Sequence, residues 1–533
     1  MKTNKIILAL STIMIFASCS KQNSSITGWS YNNSKNGGYE VNTNFKEQVT
    51  GPGLTFVEGG SFVQGRVEQD VHYDWNNVPK KVTVSSFYLD ETEVRNVDYM
   101  EYLFWIKRVY NSSYPEVYLK SLPDTLVWRD KLGYNEPFVD NYLRHPAYKN
   151  YPVVGVSWDQ ANDFCTWRTD RVNERILINA GILKEDAEQV DDNTFNTEAY
   201  LAGQYDGIEG RLLRNLDPST GEKFRKVKRT DGLLLPKYRL PTEAEWEFAA
   251  LGYVGNTNSE NINERKIFPW NGSSLRNGSS KNQGQIMANF KRGRGDNMGV
   301  AGNLNDQADV TAPVSTYWPN DYGLFDMAGN VSEWVMDVYR PVTEQTTTTD
   351  HRPFRGNVFK TPLTDEDGFI AEKDSLGRLI MVDVDVKDNA YRRNYKKSDN
   401  INYLDGDIES QMGIDWNNFL SETSDKDTSR VKIDKWNQQA SKYQDEAKTG
   451  NSSEMYDYGS SSLITDRTRV YKGGSWEDRA YWLNPGTRRY LDQSQATDAI
   501  GFRCAMDRVG DPKSKLGENQ RKGTDYNLSL IHI

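Results

Sequence analysis

Short runs of alternating apolar and polar residues dominate the folded part of this chain, and few segments have helical periodicity. Between Gly53 and Gly65 apolar residues alternate between glycines, which predicts a strand and a hairpin. Residues 81–90 give a second strand pattern, and residues 92–109 have apolar positions at helical spacing. The pattern favours a domain with modest regular secondary structure.

Two further helices are indicated by their N-terminal capping residues. Ser157 is followed three residues later by Gln160, and Thr242 by Glu245, and both pairs match the capping box. The first of these helices has apolar residues near one face, and we expect it to carry Cys165 into the core.

The stretch from Asn320 to Trp334 is too irregular for a helix or a plain strand, yet it is rich in glycine and aromatic residues. Asp326 and Glu333 bracket Gly329-Asn330-Val331, where a turning backbone can present carbonyl oxygens. Hard cations prefer such mixed oxygen ligands, although the spacing is not that of an EF-hand. A cation site and a dry loop held by its aromatic residues both remain open.

Composition narrows the possible partners. The chain has 533 residues, a net charge of −10 and 12 % aromatic residues, which is a folded rather than a disordered composition. It contains no long basic run, so nucleic acid and anionic membrane surfaces are not expected partners.

The N-terminus resembles an export leader. A basic start is followed by an apolar run, residues 6–17, that is too short to span a membrane. Phe16-Ala17-Ser18-Cys19 resembles a bacterial lipobox, with Phe16 where Leu is usual. We therefore expect a lipoprotein signal peptide at 1–18, a lipid on Cys19 and a tether or linker at 19–50. An ordinary cleaved leader is the alternative.

The remaining thiols and the imidazoles say little about catalysis. Cys165 and Cys504 are an even pair in an exported chain, which suggests a disulfide. The histidines have no metal-ligand spacing and are interpreted as isolated polar or core residues: His72, His145, His351 and His532. There is no Gly-rich phosphate loop and no Gly-x-Ser-x-Gly elbow.

Several motifs occur in an order that resembles the formylglycine-generating enzyme family, also called the sulfatase-modifying factor family. They are Tyr151-Pro-Val-Val-Gly-Val-Ser-Trp158, Arg239-Leu-Pro-Thr-Glu-Ala-Glu-Trp246, Phe268-Pro-Trp270, Thr311-Ala-Pro-Val314, Gly323-Leu-Phe-Asp-Met-Ala-Gly-Asn-Val-Ser-Glu-Trp334, Lys472-Gly-Gly-Ser-Trp476 and Gly501-Phe-Arg-Cys504. The resemblance implies an α+β fold related to C-type lectins, with low regular secondary structure and two large insertions.

The same resemblance implies structural calcium, one or two ions, and a disulfide. One ligand set would be Asn289, Phe290, Asp306 and Ala308, and the other Asp326, Gly329, Val331 and Glu333. Cys165 and Cys504 match positions that are paired in the animal enzyme of the family.

The resemblance also implies an inactive site. Active members hold copper through two cysteines that follow the Gly-Gly-Ser motif, and the matching positions here are Asp478 and Leu483. Copper(I) selects soft thiolates, which neither side chain supplies. We therefore expect no copper, no bound cofactor apart from the structural calcium, and no catalytic residue.

The family pattern also divides the chain. Residues 51–510 match the domain, interrupted by insertions at about 168–237 and 341–468, and residues 511–533 are a polar tail. In the second insertion, residues 382–386 alternate strictly and predict a half-buried strand. The codons for the last six residues, Leu528 to Ile533, resemble a sequencing adapter, so we interpret them as an artefact. A genuine apolar tail is the alternative.

A narrower resemblance points to gliding motility lipoproteins of Bacteroidetes. It rests on the two insertions, on the segment from Gly28 to Gly38, and on Trp167 to Glu174. It implies a non-catalytic outer-membrane lipoprotein that faces the periplasm and binds proteins of the gliding and type IX secretion machinery. An oxidase with an unrecognised site and a lectin-like binding module are the alternatives.

Overall fold

The fold is described from a computed structural model of the 533-residue chain. It describes residues 23–45, 47–66, 68, 76–130, 132–263, 266–293, 308–339, 360–365, 367–383, 464–465 and 467–510. The proposed lipidation site Cys19, Asp306, three of the histidines and the tail lie outside these residues. Within them, no helix is both long and apolar enough to cross a bilayer.

Four strands open the domain, and their pairing differs from the simplest expectation. They are β1 (Leu54–Val57), β2 (Gly60–Gln64), β3 (Lys80–Val84) and β4 (Phe87–Asp90). The predicted hairpin between the first two does not form, because β2 pairs with β3 and β1 pairs with β4. The predicted strand at 81–90 is two strands, and β4 is buried at every position.

Helices occupy most of the next segment. They are α1 (Asn96–Tyr110), α2 (Pro115–Ser121), α3 (Glu136–Asn141), α4 (Trp158–Asn179) and α5 (Thr197–Leu201). The capping box predicted for α4 is confirmed, since Ser157 Oγ accepts from the Gln160 amide and the Gln160 side chain accepts from the Ser157 amide. The helix predicted from residue 92 begins at Asn96.

The second half of the domain contains two more helices and ten strands among the described residues. They are β5 (Leu213–Arg214), β6 (Phe224–Arg225), β7 (Tyr238–Arg239), α6 (Glu243–Leu251), α7 (Asn258–Asn263), β8 (Ser332–Val338), β9 (Lys360–Pro362), β10 (Met381–Asp383), β11 (Thr468–Lys472), β12 (Arg489–Asp492), β13 (Ile500–Gly501) and β14 (Ala505–Asp507). The predicted capping box of α6, Thr242 with Glu245, is confirmed.

Two four-stranded sheets form the centre of this α+β fold. One has the order β1-β4-β14-β7 and the other β12-β11-β8-β13. The last chain segment joins them, because β13 runs parallel to β8 and β14 runs antiparallel to β4. Residues 502–504, which connect β13 to β14, are therefore held in the core between the sheets, and all three are buried.

The first predicted insertion folds onto the end of α4 and builds a small core of its own. The apolar residues of this core are Leu177, Ile182, Leu183, Phe195, Tyr200, Tyr205 and Val227. Part of the second insertion packs against it, since the Lys373 ammonium donates to the Asp192 carbonyl and the Gln204 amide to the carbonyls of Ile370 and Ala371. The two insertions thus form a joint layer beside α1 and α4.

The two core cysteines come together at the join between the sheets. Cys165 lies on α4 and Cys504 just before β14, and their Sγ atoms are 3.4 Å apart. The structure describes both as buried thiols, and burial raises the pKa of Cys504. The disulfide therefore stays a prediction. The fold places its two sulfur atoms in contact.

We predict that Cys165 and Cys504 are oxidised in the exported protein. Closing so long a loop contributes roughly 6 kcal/mol in the chain-entropy model, so reductant is expected to lower the melting temperature. Alkylation of the unfolded protein followed by intact mass should add label only after reduction. The Cys504→Ala variant is the control, since its single remaining thiol should take label without reductant. Labelling of both thiols in the unreduced protein would contradict the prediction.

Candidate functional site

The loop before β8 has a backbone that few sequences can adopt. Asp326, Gly329 and Asn330 all have positive φ, at 54°, 80° and 61°. A Cβ at Gly329 would lie 2.2 Å from the Asn289 carbonyl oxygen, so only glycine fits there. The loop is therefore pressed against the segment that carries the other predicted calcium ligand set.

Asn330 connects the two predicted ligand sets. Its amide donates to the Asn289 carbonyl at 2.9 Å. Its side-chain oxygen accepts from the Ala312 amide at 2.7 Å and from Asn289 Nδ2 at 3.3 Å. Its Nδ2 donates to both oxygens of Glu93 at 3.2 Å. A fully buried side chain that uses all its polar atoms in this way fixes the loop.

Glu333, the last residue of the predicted set, is bound by protein groups. Arg503 donates from Nε and Nη2 to its two carboxylate oxygens, each at 2.6 Å. Trp246 Nε1 donates to the same carboxylate at 2.7 Å. All three side chains are fully buried. The carboxylate thus already has strong partners without a metal ion.

The neighbourhood of this ion pair has an excess of buried acid. Glu93 and Asp326 lie close enough to Glu333 to interact electrostatically, and Arg503 is their shared cation. Burial raises the pKa of Glu93 well above its usual range, and the two neighbouring carboxylates raise it further. Burial likewise raises the pKa of Asp326 to about 6, although its carboxylate accepts from the Ser315 amide. Another cation would relieve this excess of negative charge.

The residues fit a calcium ion only in part. Asp326, Gly329 and Val331 are buried in one loop, which offers a carboxylate and backbone carbonyls, the ligand types that a hard cation prefers. Among the described residues, however, no three His, Cys, Asp or Glu side chains are arranged to hold a metal. In the other set Asn289 and Phe290 are buried, Ala308 lies at the edge of a described range and Asp306 lies outside it. Calcium therefore stays a prediction.

The first position that we expect to match a copper-binding cysteine is occupied by an ion pair. Asp478 accepts two hydrogen bonds from Arg489, at 2.6 and 2.7 Å, and two more from the amide and hydroxyl of Ser475. The Arg489 guanidinium also lies over the rings of Tyr471 and Trp482, at 4.8 and 4.6 Å from their centroids. The carboxylate is held by partners of the protein itself.

The second expected position, Leu483, is part of the hydrophobic core. Leu483 is fully buried and packs in a cluster with Phe268, Ile286, Phe290 and Ala328. It ends a short 3-10 helix, Ala480–Leu483. The backbone of this helix approaches Gly474 so closely that a Cβ there would lie 2.9 Å from the Trp482 carbonyl. An aliphatic side chain in this packing has no atom that can bind a metal or carry a proton.

Sequence reasoning missed a second buried ionic cluster beneath β11. The Lys472 ammonium lies 2.9 Å from Glu247 and 3.4 Å from Glu243, and Arg488 lies 3.0 Å from Glu243. Although burial opposes it, these cations lower the pKa of Glu243 to about 2. Asp337 accepts from the Glu243 amide, and burial raises its pKa to about 7. The sequence signal for this cluster was the presence of charged residues, such as Glu247 and Lys472, within largely apolar segments.

Comparison with known proteins places this arrangement in a family. Residues 40–375 match the sulfatase-modifying factor enzyme 1-like domain, so the chain belongs to that family. Mouse formylglycine-generating enzyme is 24 % identical over 328 residues, which is 55 % of this chain and 63 % of the mouse protein. Mouse inactive C-alpha-formylglycine-generating enzyme 2 is 24 % identical over 328 residues, covering 57 % of this chain and 73 % of that protein. The family thus includes proteins named as active and as inactive.

Other relatives match over a shorter stretch of the chain or at lower sequence identity. The formylglycine-generating enzyme of Streptomyces coelicolor is 37 % identical over 120 residues, 22 % of this chain and 32 % of that enzyme. Among solved structures, Treponema denticola variable protein 1 is 16 % identical and covers 85 % of this chain and 94 % of that one, with a TM-score of 0.33. The chain spans less than two thirds of the mouse and bovine enzymes it matches.

We predict that Arg503 is among the most costly residues to replace. Arg503→Met leaves the buried carboxylate of Glu333 without its cation, and losing one partner of a buried pair typically costs about 3–5 kcal/mol. The matched control is Arg175→Met, because Arg175 is 62 % exposed and pairs with exposed Glu185. Unfolding in denaturant should show at most about 1 kcal/mol for the control. Similar losses in the two variants would contradict the prediction.

We predict that calcium stabilises the protein and that the effect depends on pH. The pKa of Asp326 is about 6 in the folded protein, above its unfolded value, so without an ion stability falls as pH rises toward 6. A bound cation favours the charged carboxylates and removes this loss. Added calcium should therefore raise the melting temperature more at pH 7.5 than at pH 5, and a chelator should reverse the gain. A melting temperature that calcium leaves unchanged at both pH values would support a loop without a bound ion.

Proposed function

We propose that this protein is a non-catalytic, lipid-anchored structural component of the gliding motility and type IX secretion machinery of a Bacteroidetes bacterium. The absence of catalysis is proposed from the side chains at the two positions that we expect to match copper-binding cysteines. One is an Asp478–Arg489 ion pair and the other is buried Leu483. The second part rests on the resemblance to gliding motility lipoproteins, of which GldJ is similar in length and insertions and GldK is a near relative.

The chemistry of the two positions supports a protein without oxidase activity. Copper(I) needs two soft ligands, and a carboxylate that already accepts four hydrogen bonds is a hard, occupied group. The remaining thiols, Cys165 and Cys504, are buried against each other in the core between the sheets. They are therefore poorly placed to serve as replacement ligands.

The layer built by the insertions supports a role in assembly. It adds surface beside α1 and α4 without adding a described cluster of metal-binding side chains. Several large apolar residues of the second insertion remain exposed there, including Phe369 at 72 % and Ile370 at 41 %. Exposed apolar residues of this kind are typical of surfaces that bind other proteins. The proposed partners are the gliding and secretion proteins at the outer membrane.

Two experiments test the proposal. Purified protein supplied with copper and a cysteine-containing sulfatase peptide should give no formylglycine by mass, beside an active formylglycine-generating enzyme as the control. Product that disappears when copper is removed would restore the oxidase hypothesis. Crosslinking mass spectrometry on native membranes should then link exposed lysines of this protein to secretion and gliding proteins. Binding on a glycan array without such crosslinks would instead favour the lectin-like alternative.

A further inference from the structure

We infer that the N-terminal segment and the basic half of the first insertion form one face that lies against a phospholipid bilayer with anionic headgroups. The face comprises Ile26 and Trp29 from the segment, and Arg211, Arg214 and Lys223 from the insertion. The inference rests on the proposed lipid at Cys19, and it adds an orientation of the whole domain on the membrane.

The N-terminal segment is docked on the insertion. Glu40 accepts from the Leu216 amide and from Arg225, and Arg225 also pairs with Asp231. Asn42 donates to the Asp231 carbonyl at 2.8 Å. These contacts fix the segment at Glu40 and Asn42. Hydrogen bonds between Asn32 and Val41 and from Asn36 to the Ser30 carbonyl, and the bridge between Asn23 and Ser30, then connect the earlier residues to it.

This docking leaves a short connection to the membrane. Only residues 20–22 separate Cys19 from Asn23, the first described residue. A fully extended chain spans at most about 3.6 Å per residue, so four steps reach roughly 14 Å. A lipid at Cys19 would therefore hold this side of the domain close to the headgroups.

The residues nearest that connection are suited to the interface. Ser24 donates to the Trp29 carbonyl and accepts from the Gly28 amide, which closes a tight turn. The turn leaves Ile26 94 % and Trp29 62 % exposed. Trp is favoured where one side of a ring is apolar and the other is wet, as at the headgroup level of a bilayer.

The charge of the insertion is divided between its two halves. Residues 184–209 contain one basic and eight acidic residues, whereas residues 211–237 contain eight basic and three acidic residues. The N-terminal segment docks on the basic half, through Leu216, Arg225 and Asp231. Arg229 and Lys237 pair with Glu198 of the acidic half, so only the other cations of the basic half can provide a local basic surface within the acidic chain.

Some of these cations are available to a partner. Arg211, Arg214 and Lys223 are exposed, and none forms a salt bridge with another residue in the described ranges. Basic residues next to a lipid anchor are attracted to the negative surface potential of anionic lipids. The lipid and the basic surface would then act as two anchoring signals, which stable membrane attachment generally requires.

The test uses the chain from Ser20 to Ile533, without lipid, so that only the face can bind. It should sediment with phosphatidylglycerol-containing vesicles, and only weakly with pure phosphatidylcholine vesicles. Arg214→Glu with Lys223→Glu should weaken binding roughly tenfold or more. Lys120→Glu with Lys149→Glu is the matched control, with the same charge change at exposed residues outside this face. Equal weakening by both pairs, or no vesicle binding, would overturn the inference.

A second measurement uses the native lipoprotein in vesicles. A fluorophore on Thr27→Cys should be quenched by lipid-borne quenchers, and one on Leu126→Cys, which is also exposed, should not. Equal quenching at both sites would contradict the orientation. The lipid on Cys19 is detected separately, from the mass of the mature protein. An absent lipid and an absent membrane-binding face therefore give different results. Stronger binding of the unlipidated chain to polyglutamate than to the anionic vesicles would indicate an acidic protein partner. It would overturn the inference that the face binds a bilayer.

Discussion

The salt bridge between Glu333 and Arg503 is the interaction on which the rest of the structure depends. Arg503 lies where the chain passes from the sheet containing β13 to the sheet containing β14. Besides Glu333 on β8, its guanidinium donates to the carbonyls of Asp90 on β4 and of Phe325 in the loop before β8. One side chain thus connects both sheets and the loop. Because it is fully buried, no water can replace a lost partner.

The contacts that hold the core do not involve the two positions that we expect to match copper-binding cysteines. The central ion pair, the Asn330 network and the Lys472 cluster make their contacts without Asp478 or Leu483. A carboxylate and an aliphatic side chain at these two positions are therefore compatible with an intact core. Arg489 and Ser475 satisfy the Asp478 carboxylate, so it is not an unpaired buried charge.

Local signals in the sequence predicted helices well and strand pairing poorly. The capping boxes at Ser157 and Thr242 depend on residues three positions apart, and both form as expected. The pairing of β1 with β4 instead of β2 depends on burial of the whole of β4, which no local pattern shows. Glu93 was missed at the site for the same reason, because its partner Asn330 is 237 positions away.

The same limit applies to charge. A net charge of −10 describes the average surface, and it excludes an anionic partner only if the charge is evenly spread. Here the first insertion separates its acidic and basic residues along the chain, and only some of them pair with each other, as Glu198 does with Arg229 and Lys237. The acidic half meets Lys373 of the second insertion, whereas the basic half meets the N-terminal segment. An insertion that binds the second insertion on one side and the N-terminal segment on the other fixes how these two parts of the chain are placed relative to each other.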